Sequence, residues 1–366
     1  MPKTLDRTDL VDLAVGAAFL GTGGGGDPYV GRLMVQQCLD EGLSVTLIDP
    51  DELDDDAFVI PTAMMGAPTV LVEKIPSGEE AIHSLRTLEK HLGRTATATM
   101  PIEIGGISST IPLVVGARLG LPIVDADGMG RAFPQLEMET FGVYGIPAAP
   151  LVVSNEYGES ALIQSDDNRT VERLARGVTI RMGGCAYIAE YAMSGADAKR
   201  TAIPRTMTLA IRIGRCLREA KAEHRNPIDA LLELLPETLY SYGRVIFNGK
   251  IVDLVRETRN GFSVGRMKIA GIETFTGTMG IEIQNENLVA RVEGKVRAIV
   301  PDLICVMNSD SAEPIPTEQL RYGQRVTIVA VSVPAMMRSL EALDVFGPKA
   351  FGLDEPFTPI ESLEPG

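Results

Sequence analysis

Five glycines in six residues make the stretch from residue 21 to residue 26 the strongest constraint on how this chain folds. A backbone of this kind can adopt positive φ angles and approach a ligand or another backbone closely, at an entropic cost that an ordinary turn does not require. A helical pattern at residues 9–20 precedes the stretch. Asp27 at a cap position and Pro28 at the first helical position then begin a second helix, which reaches about residue 40. The sequence therefore predicts a glycine-rich loop that joins two helices.

The loop also satisfies the G-x-G-x-x-G pattern of dinucleotide-binding proteins. That fingerprint follows a strand, however, and here a helix is predicted before it. The Lys-Ser or Lys-Thr pair of a Walker loop is missing as well. The free N–H groups and the following helix N-terminus could instead hold an anionic group such as a carboxylate. The alternative is a tight helix–helix turn packed against a neighbouring segment.

Charge and length exclude several classes of protein. The 366 residues carry a formal net charge of −15, which would repel nucleic acid phosphates, and no basic stripe offsets it. The length favours two or three domains. The first residues contain no apolar segment typical of a signal peptide, and no apolar run is long enough to span a membrane. We therefore expect a cytoplasmic protein that acts on a small molecule and binds neither nucleic acid nor membrane.

The number and spacing of the cysteines and histidines limit the kinds of catalytic site that this chain could form. The four cysteines are scattered and form no C-x-x-C pair, which indicates reduced thiols. The chain has three histidines, which argues against a catalytic centre built on several of them but leaves open one histidine that acts with carboxyl groups. Cys185 is a candidate nucleophile if it begins a helix, where the pKa of a thiol falls. The alternative is that Cys185 is a small packed residue.

The middle of the first half has the order strand, glycine turn, helix, strand. The strands are predicted at residues 95–104 and 121–125, and the helix between them ends at about residue 119. This is the order of a βαβ unit, whose two strands run parallel. We therefore predict an α/β domain at residues 1–238, with a mainly parallel sheet and flanking helices.

From residue 239 the pattern changes to short strands separated by turns, which predicts a mostly β domain at residues 239–366. Within it, the dipeptide Asn248-Gly249 predicts a hairpin turn. The tail at residues 346–354 is rich in glycine and aromatic residues, and we expect it to pack back on the body of the protein.

Three carboxyl groups fall at the ends of the predicted parallel strands, where ligands collect in such sheets. They belong to Glu103, Asp125 and Asp127. Carboxyl groups held close together have their pKa values driven apart, so that one can act as an acid and another as a base. They could instead hold a divalent metal ion, with oxygen ligands that suit Mg²⁺ or Mn²⁺ better than Zn²⁺. A third interpretation is that the two aspartates cap the glycine-rich turn that follows them.

Four segments carry a resemblance to a known family: residues 21–28, 103–106, 124–134 and 347–352. Together they resemble the S-methyl-thiohydantoin desulfurase-like family, formerly a family of unknown function associated with hydantoinase and oxoprolinase genes. The resemblance spans nearly the whole chain. It implies an α/β domain followed by a β-rich domain. It also implies a hydrolysis in which water replaces the S-methyl group of an S-methylated thiohydantoin, giving a hydantoin and methanethiol.

The candidate residues suit that chemistry. Hydrolysis of a cyclic thioimidate needs a proton on the ring nitrogen and water at the adjacent carbon, which is work for a paired acid and base. We predict Glu103, Asp125 and Asp127 as the catalytic residues. The predicted substrate-binding residues are Gly23, Gly24, Gly25, Gly26, Asp27, Gly105, Gly106 and Arg131. Arg131 could bind a substrate carboxylate in bidentate fashion, or it could form a structural salt bridge with Asp125 or Glu139.

A second class of function stays open beside the hydrolase. The chain could be an accessory or binding subunit, without chemistry of its own, that partners a hydantoinase- or oxoprolinase-type enzyme. The candidate assemblies are accordingly a homo-oligomer or a complex with such a partner. The sequence leaves open which of these forms, and whether a divalent metal is bound.

Overall fold

Helices are concentrated in the first two-thirds of the chain, and one large sheet dominates the last third. The computed structural model describes residues 2–66, 70, 74, 76–259 and 262–364. Its α-helices are α1 (Arg7–Leu20), α2 (Pro28–Asp40), α3 (Glu79–Leu92), α4 (Ile111–Leu119), α5 (Thr140–Val143), α6 (Asn168–Arg181), α7 (Gly195–Thr201), α8 (Thr206–Ala222), α9 (Pro227–Leu234) and α10 (Leu340–Phe346).

The glycine-rich loop joins α1 to α2, as the sequence predicts. The Asp27 carboxylate accepts a hydrogen bond from the Tyr29 backbone N–H at 2.8 Å, and Pro28 takes the first helical position. Because a helix precedes the loop, its G-x-G-x-x-G pattern lacks the strand that a dinucleotide fingerprint requires. Among the described residues, no helix is both long enough and apolar enough to cross a membrane.

The strands before residue 243 are short. They are β1 (Lys3–Thr4), β2 (Thr46–Ile48), β3 (Phe58–Val59), β4 (Thr62–Gly66), β5 (Ile123–Val124), β6 (Ala126–Asp127), β7 (Leu151–Ser154), β8 (Ser160–Ile163), β9 (Cys185–Ala189), β10 (Met193–Ser194) and β11 (Ile203–Pro204).

The α/β character of this region is confirmed, but a mainly parallel sheet is not. The four-stranded sheet, in the order β4-β9-β7-β8, has only antiparallel pairs. Parallel pairing joins β2 to β5 and continues through single bridges from Ala98 to Val59 and from Thr99 to Ile123. Pro101 lies inside the run that the sequence predicted as a long strand, and a proline cannot donate to a strand ladder. The parallel order is therefore limited to a few residues.

The second domain is a curled antiparallel half-barrel. Its strands are β12 (Gly243–Arg259), β13 (Phe262–Gly271), β14 (Thr278–Gln284), β15 (Glu286–Val292), β16 (Lys295–Ile299), β17 (Leu303–Asn308) and β18 (Arg325–Val331). They lie in the order β16-β15-β14-β13-β12-β18-β17. Along β14 the residues alternate between buried and more exposed positions, as expected for a sheet with one face on a core.

The predicted hairpin at Asn248-Gly249 is wrong. Both residues lie inside β12 and pair with Thr327 and Val326 of β18. A Cβ atom added to Gly249 would lie 2.4 Å from the Ala270 carbonyl oxygen on the other neighbouring strand. The glycine therefore permits a close approach of two backbones within the sheet and does not mark a turn.

One hydrophobic core continues from the α/β domain into the half-barrel. Ile104 and Phe133 share it with Leu288 and Leu303. The Phe133 ring also stacks on Phe346 of α10, with 4.9 Å between ring centroids. The two domains are therefore packed together, and the exact boundary near residue 238 stays a prediction.

Candidate functional site

The glycine-rich loop at residues 21–26 lies between the two domains and is largely buried. Its carbonyl oxygens accept a hydrogen bond from Ile107 on one side, at 2.9 Å. On the other side they accept hydrogen bonds from Asn287 and Thr317, at 3.0 and 2.7 Å. The loop therefore connects the predicted turn at residues 105–106 with the half-barrel.

Glycine is required where the loop meets that turn. Gly25 has a φ of 74°, and a Cβ added to it would lie 2.6 Å from the Gly105 carbonyl oxygen. A Cβ on Gly106 would lie 2.0 Å from the Gly25 oxygen. Three of the predicted substrate-binding glycines are thus in direct backbone contact.

The same loop holds a carboxyl group that sequence reasoning missed. Glu286 begins β15 and is 1% exposed. A Cβ on Gly24 would lie 2.0 Å from Glu286 Oε1, so only glycine leaves room for this side chain. Burial raises the pKa of Glu286, and a hydrogen bond from the Gly25 N–H opposes part of that rise by stabilising the ionised form. No local pattern marks Glu286, because it comes to the loop only through the packing of the two domains.

Glu286 and Glu103 line the same small cavity, which has a volume of about 50 Å³. The Gly25 backbone and the Arg176 side chain also border it. The remaining lining residues are Met64, Met65, Gly66, Ile102, Met129, Phe133, Pro134, Gln135, Leu136 and Asn285. Two carboxyl groups, one from each domain, thus line one small, partly open cavity whose wall combines apolar and polar side chains.

Burial dominates the electrostatics of the two carboxyl groups. It raises the pKa of Glu103 well above its usual value, and the negative charge of Glu286 raises it further, against a hydrogen bond from Ser108. Burial raises the pKa of Glu286 to about 8, although the Arg131 guanidinium lowers it. Because Arg131 favours the ionised form of Glu286, and that charge disfavours ionisation of Glu103, Glu286 loses its proton first.

Each carboxyl group also has one buried oxygen without a hydrogen-bond partner among the described residues. Glu103 Oε2 and Glu286 Oε2, which we call the open oxygens, have no hydrogen-bond partner within the part of the chain that the structure describes. A buried polar atom is normally paired, so such atoms call for an explanation. A bound substrate or water at the cavity would supply the partner.

The two predicted catalytic aspartates have different surroundings. Asp127 is fully buried, and its Oδ2 accepts hydrogen bonds from the backbone N–H groups of Ile104, Met129 and Gly130 at 2.7–3.0 Å. It lies near Glu103, whose pKa its charge raises. Asp127 therefore shapes the turn beside Glu103, as the capping interpretation expects.

Asp125 lies elsewhere and does not join that cluster. Its carboxylate accepts hydrogen bonds from the backbone N–H of Thr208, at 3.0 Å, and from the Thr208 hydroxyl. Thr208 is in the first turn of α8. The structure thus brings together Glu103 and Asp127 but directs Asp125 to a helix N-terminus.

Arg131 is fully buried and bonds to the half-barrel. Its guanidinium donates hydrogen bonds to the carbonyl oxygens of Pro301, Asp302 and Asn287 at 2.8, 3.0 and 3.4 Å. It also lies over the Phe133 ring, 4.8 Å from the centroid. Among the described residues it forms no ion pair, so neither predicted salt bridge is present. These bonds occupy the Arg131 guanidinium, and Arg131 does not line the cavity.

Two other predicted residues lie outside the cavity. Asp27 caps α2 and accepts a hydrogen bond from the Gln319 side chain at 2.8 Å, in a separate surface groove. Gly26 precedes it with a φ of 75° and is buried. Both residues therefore set the direction of the chain as it enters α2.

Arg176 is a second residue that sequence reasoning missed. It borders the cavity, pairs with Glu172 and donates a hydrogen bond to the Pro134 carbonyl oxygen at 2.8 Å. Its guanidinium lies over the Phe262 ring of β13, 4.4 Å from the centroid. Arg176 lies in the middle of a polar helix, and nothing in the sequence around it predicts that it borders a cavity.

The remaining candidates lack the surroundings that their chemistry requires. Cys185 begins a strand instead of a helix, and burial raises the pKa of its thiol to about 12. The thiolate needed for a nucleophile is thus disfavoured.

Within the described residues, no group of three or more His, Cys, Asp and Glu side chains is arranged to hold a metal ion.

Two family models match this chain. The model described as S-Me-THD-like, N-terminal domain, matches residues 8–165, and the model described as S-Me-THD-like, C-terminal domain, matches residues 165–360. None of the curated proteins matches the sequence. The crystal structure of a protein from Chromobacterium violaceum is similar, with a TM-score of 0.80 and 23% sequence identity over 98% of this chain and 100% of that chain. At that identity the similarity shows the fold alone.

Proposed function

This chain belongs to the S-Me-THD-like family, and from that premise we propose that it hydrolyses an S-methylated thiohydantoin or a related small cyclic thioimidate or amide. The observation that carries the proposal is the pair of buried carboxyl groups, Glu103 and Glu286, at one cavity between the domains. A paired acid and base is what this hydrolysis requires.

We assign the base to Glu286 and the acid to Glu103. Glu286 ionises first, so it takes a proton from water as the water oxygen attacks the ring carbon that bears sulfur. Glu103 gives its proton to the adjacent ring nitrogen. The carbon–sulfur bond then breaks, Glu286 returns its proton to the departing sulfur, and the new hydroxyl group loses its proton to Glu103. The products are a hydantoin and methanethiol, and both carboxyl groups regain their starting states.

The direct test is thiol release by the purified full-length chain. We expect an S-methyl-thiohydantoin to yield methanethiol, measured with a thiol reagent, and hydantoin in equal amount, measured by mass spectrometry. Glu89→Gln is the matched control, because Glu89 is a buried glutamate outside the cavity and its replacement should leave the rate unchanged. If wild-type protein releases no thiol, the hydrolase proposal fails and the accessory subunit becomes the better account.

Asp125 provides a second prediction, because its contacts assign it to the fold. Asp125→Ala removes the acceptor for two hydrogen bonds from Thr208 in the first turn of α8. We expect the free energy of unfolding in urea to fall by about 1–2 kcal/mol. The rate of thiol release by the folded fraction should stay at the wild-type value. A stable variant with a strongly reduced rate would return Asp125 to the catalytic site.

A further inference from the structure

Arg176 brings a positive charge to the wall of the cavity, and three contacts fix its side chain. Its Nε donates a hydrogen bond to Glu172, its Nη2 donates one to the Pro134 carbonyl oxygen at 2.8 Å, and its guanidinium lies over the Phe262 ring. Glu172 is held in turn, because its Oε2 accepts a hydrogen bond from the Leu136 N–H at 3.1 Å. The Arg176 side chain is only 12% exposed. The guanidinium therefore has a fixed position at the cavity before any ligand binds.

One nitrogen of this guanidinium is left for a ligand. Arg176 Nη1 donates no hydrogen bond to the residues that the structure describes, and it is not fully buried. A guanidinium N–H can only donate, so its partner must be an acceptor such as a carbonyl oxygen. Arg176 borders the same cavity as Glu103 and Glu286, and its charge lowers the pKa of Glu286. The unused donor thus lies beside the proposed acid and base.

The proposed reaction develops negative charge on an acceptor of that kind. In an S-methylated thiohydantoin, one ring nitrogen lies between the carbon that bears sulfur and the ring carbonyl carbon. As the water oxygen bonds to the first carbon and Glu286 takes the water proton, the electron pair of the carbon–nitrogen double bond moves onto that nitrogen and the carbonyl oxygen. Glu103 then protonates the nitrogen, and the carbonyl double bond is restored. Until that proton arrives, the carbonyl oxygen carries part of the charge.

The size of the cavity agrees with a ring that enters by one edge. Its volume is about 50 Å³, whereas a cavity that holds benzene measures about 150 Å³. The carbon that bears sulfur, the nitrogen and the carbonyl carbon form one edge of the five-membered ring. A ring whose reacting carbon lies within reach of the open oxygens therefore presents its carbonyl oxygen to another part of the same wall.

We propose that Arg176 Nη1 binds the ring carbonyl oxygen and stabilises the negative charge that develops there, which makes Arg176 a third catalytic residue. This inference rests on the proposed function. It also names a recognition element, because a ring with a carbonyl group beside the reacting carbon and nitrogen is favoured over one without it. A donor that is fixed in advance and aimed at developing charge contributes about a hundredfold to a thousandfold in rate.

The first test is the pH profile of kcat/KM for thiol release. We expect Arg176→Met to lower the rate at its high-pH plateau by about a hundredfold or more. If Arg176 acted only on the pKa of Glu286, its loss would move the rise to higher pH and leave the plateau unchanged. Arg173→Met is the matched control, since Arg173 is exposed on the same helix α6 and does not line the cavity. It should keep the wild-type profile.

A second substrate isolates the carbonyl group. An S-methylated cyclic thiourea without the carbonyl, 2-(methylthio)imidazoline, keeps the reacting carbon, the nitrogen and the methylthio group. The preference of wild-type protein for the carbonyl-bearing ring should fall by about a hundredfold in Arg176→Met. Glu172→Gln keeps Arg176 but weakens the ion pair that holds it, so it should give a smaller loss of the same preference. This variant serves if Arg176→Met does not fold.

The possible failures are distinguishable. A wild-type plateau in Arg176→Met, or equal losses with the two substrates, overturns the assignment of Arg176 while the two carboxyl groups keep their roles. Absence of thiol from both substrates with wild-type protein instead overturns the proposed function.

Discussion

The Glu286→Gln variant is expected to release thiol about a hundredfold or more slowly than wild-type protein, which is the effect of removing a general base. Glutamine keeps the shape of the side chain but cannot accept the proton from water. Because Glu286 is 1% exposed and ionises against burial, the neutral replacement should not unfold the protein. Rates of thiol release and urea unfolding of the same preparation provide the measurement.

The pH dependence gives an independent check on the same residue. The raised pKa of Glu286, about 8, means that the base is ionised only as pH rises through that value. The kcat/KM of wild-type protein should therefore increase with pH and level off above about 8, until ionisation of Glu103 reduces it. The increase should be absent from the residual rate of Glu286→Gln. A variant with the wild-type rate and profile would exclude Glu286 as the base.

Arg131→Met is expected to lower the free energy of unfolding by about 3–5 kcal/mol, because each buried acceptor that loses its donor costs about 1–3 kcal/mol. Three carbonyl oxygens of the half-barrel, those of Asn287, Pro301 and Asp302, would lose the guanidinium that binds them. Buried acceptors without a donor are costly. Urea unfolding, with the transition followed by circular dichroism, measures the loss.

Two comparisons make that result specific. Arg225→Met removes an arginine whose ion pair with Glu223 is exposed, and it should change stability by less than about 0.5 kcal/mol. Arg131→Lys keeps the charge but loses the planar fork of donors, so we expect a stability between those of wild type and Arg131→Met. If Arg131→Met is as stable as wild type, the carbonyl contacts of Arg131 are not structural. Arg131 would then be free to bind a substrate carboxylate in bidentate fashion, which is one of the two roles that the sequence suggests.

The features of the fold that could be predicted from the sequence are those that depend only on residues close together in the chain. Asp27 and Pro28 fix the start of α2 through a side-chain cap and a preset φ, and neither depends on the rest of the chain. The Asn248-Gly249 dipeptide carries an equally local signal. It failed because pairing with β18 holds both residues in a long strand. Pairing with a distant strand therefore determined the structure at these two residues and overrode their local preference for a turn.

The residues of the candidate site also divide into those that local sequence indicates and those that only the packing of the two domains places. Glu103 could be found because it ends a predicted strand beside a glycine turn. Glu286 could not, because only the packing of the half-barrel against the glycine-rich loop brings it to the cavity. Asp125 and Asp127 are two residues apart in sequence, yet one accepts hydrogen bonds from Thr208 in the first turn of α8 and the other binds the turn at residues 128–130. A spacing of two residues does not by itself predict that the two carboxyl groups bind different partners.

The central claim is that Glu103 and Glu286, one from each domain, act as a single catalytic unit. The most direct test is a cycle of Glu103→Gln, Glu286→Gln and the double variant, with kcat/KM for thiol release measured for each. Residues that act as a unit are strongly non-additive. We therefore expect the double variant to be no slower than the slower single variant. Losses that multiply in the double variant would contradict the account, since they would mean that the two carboxyl groups act independently.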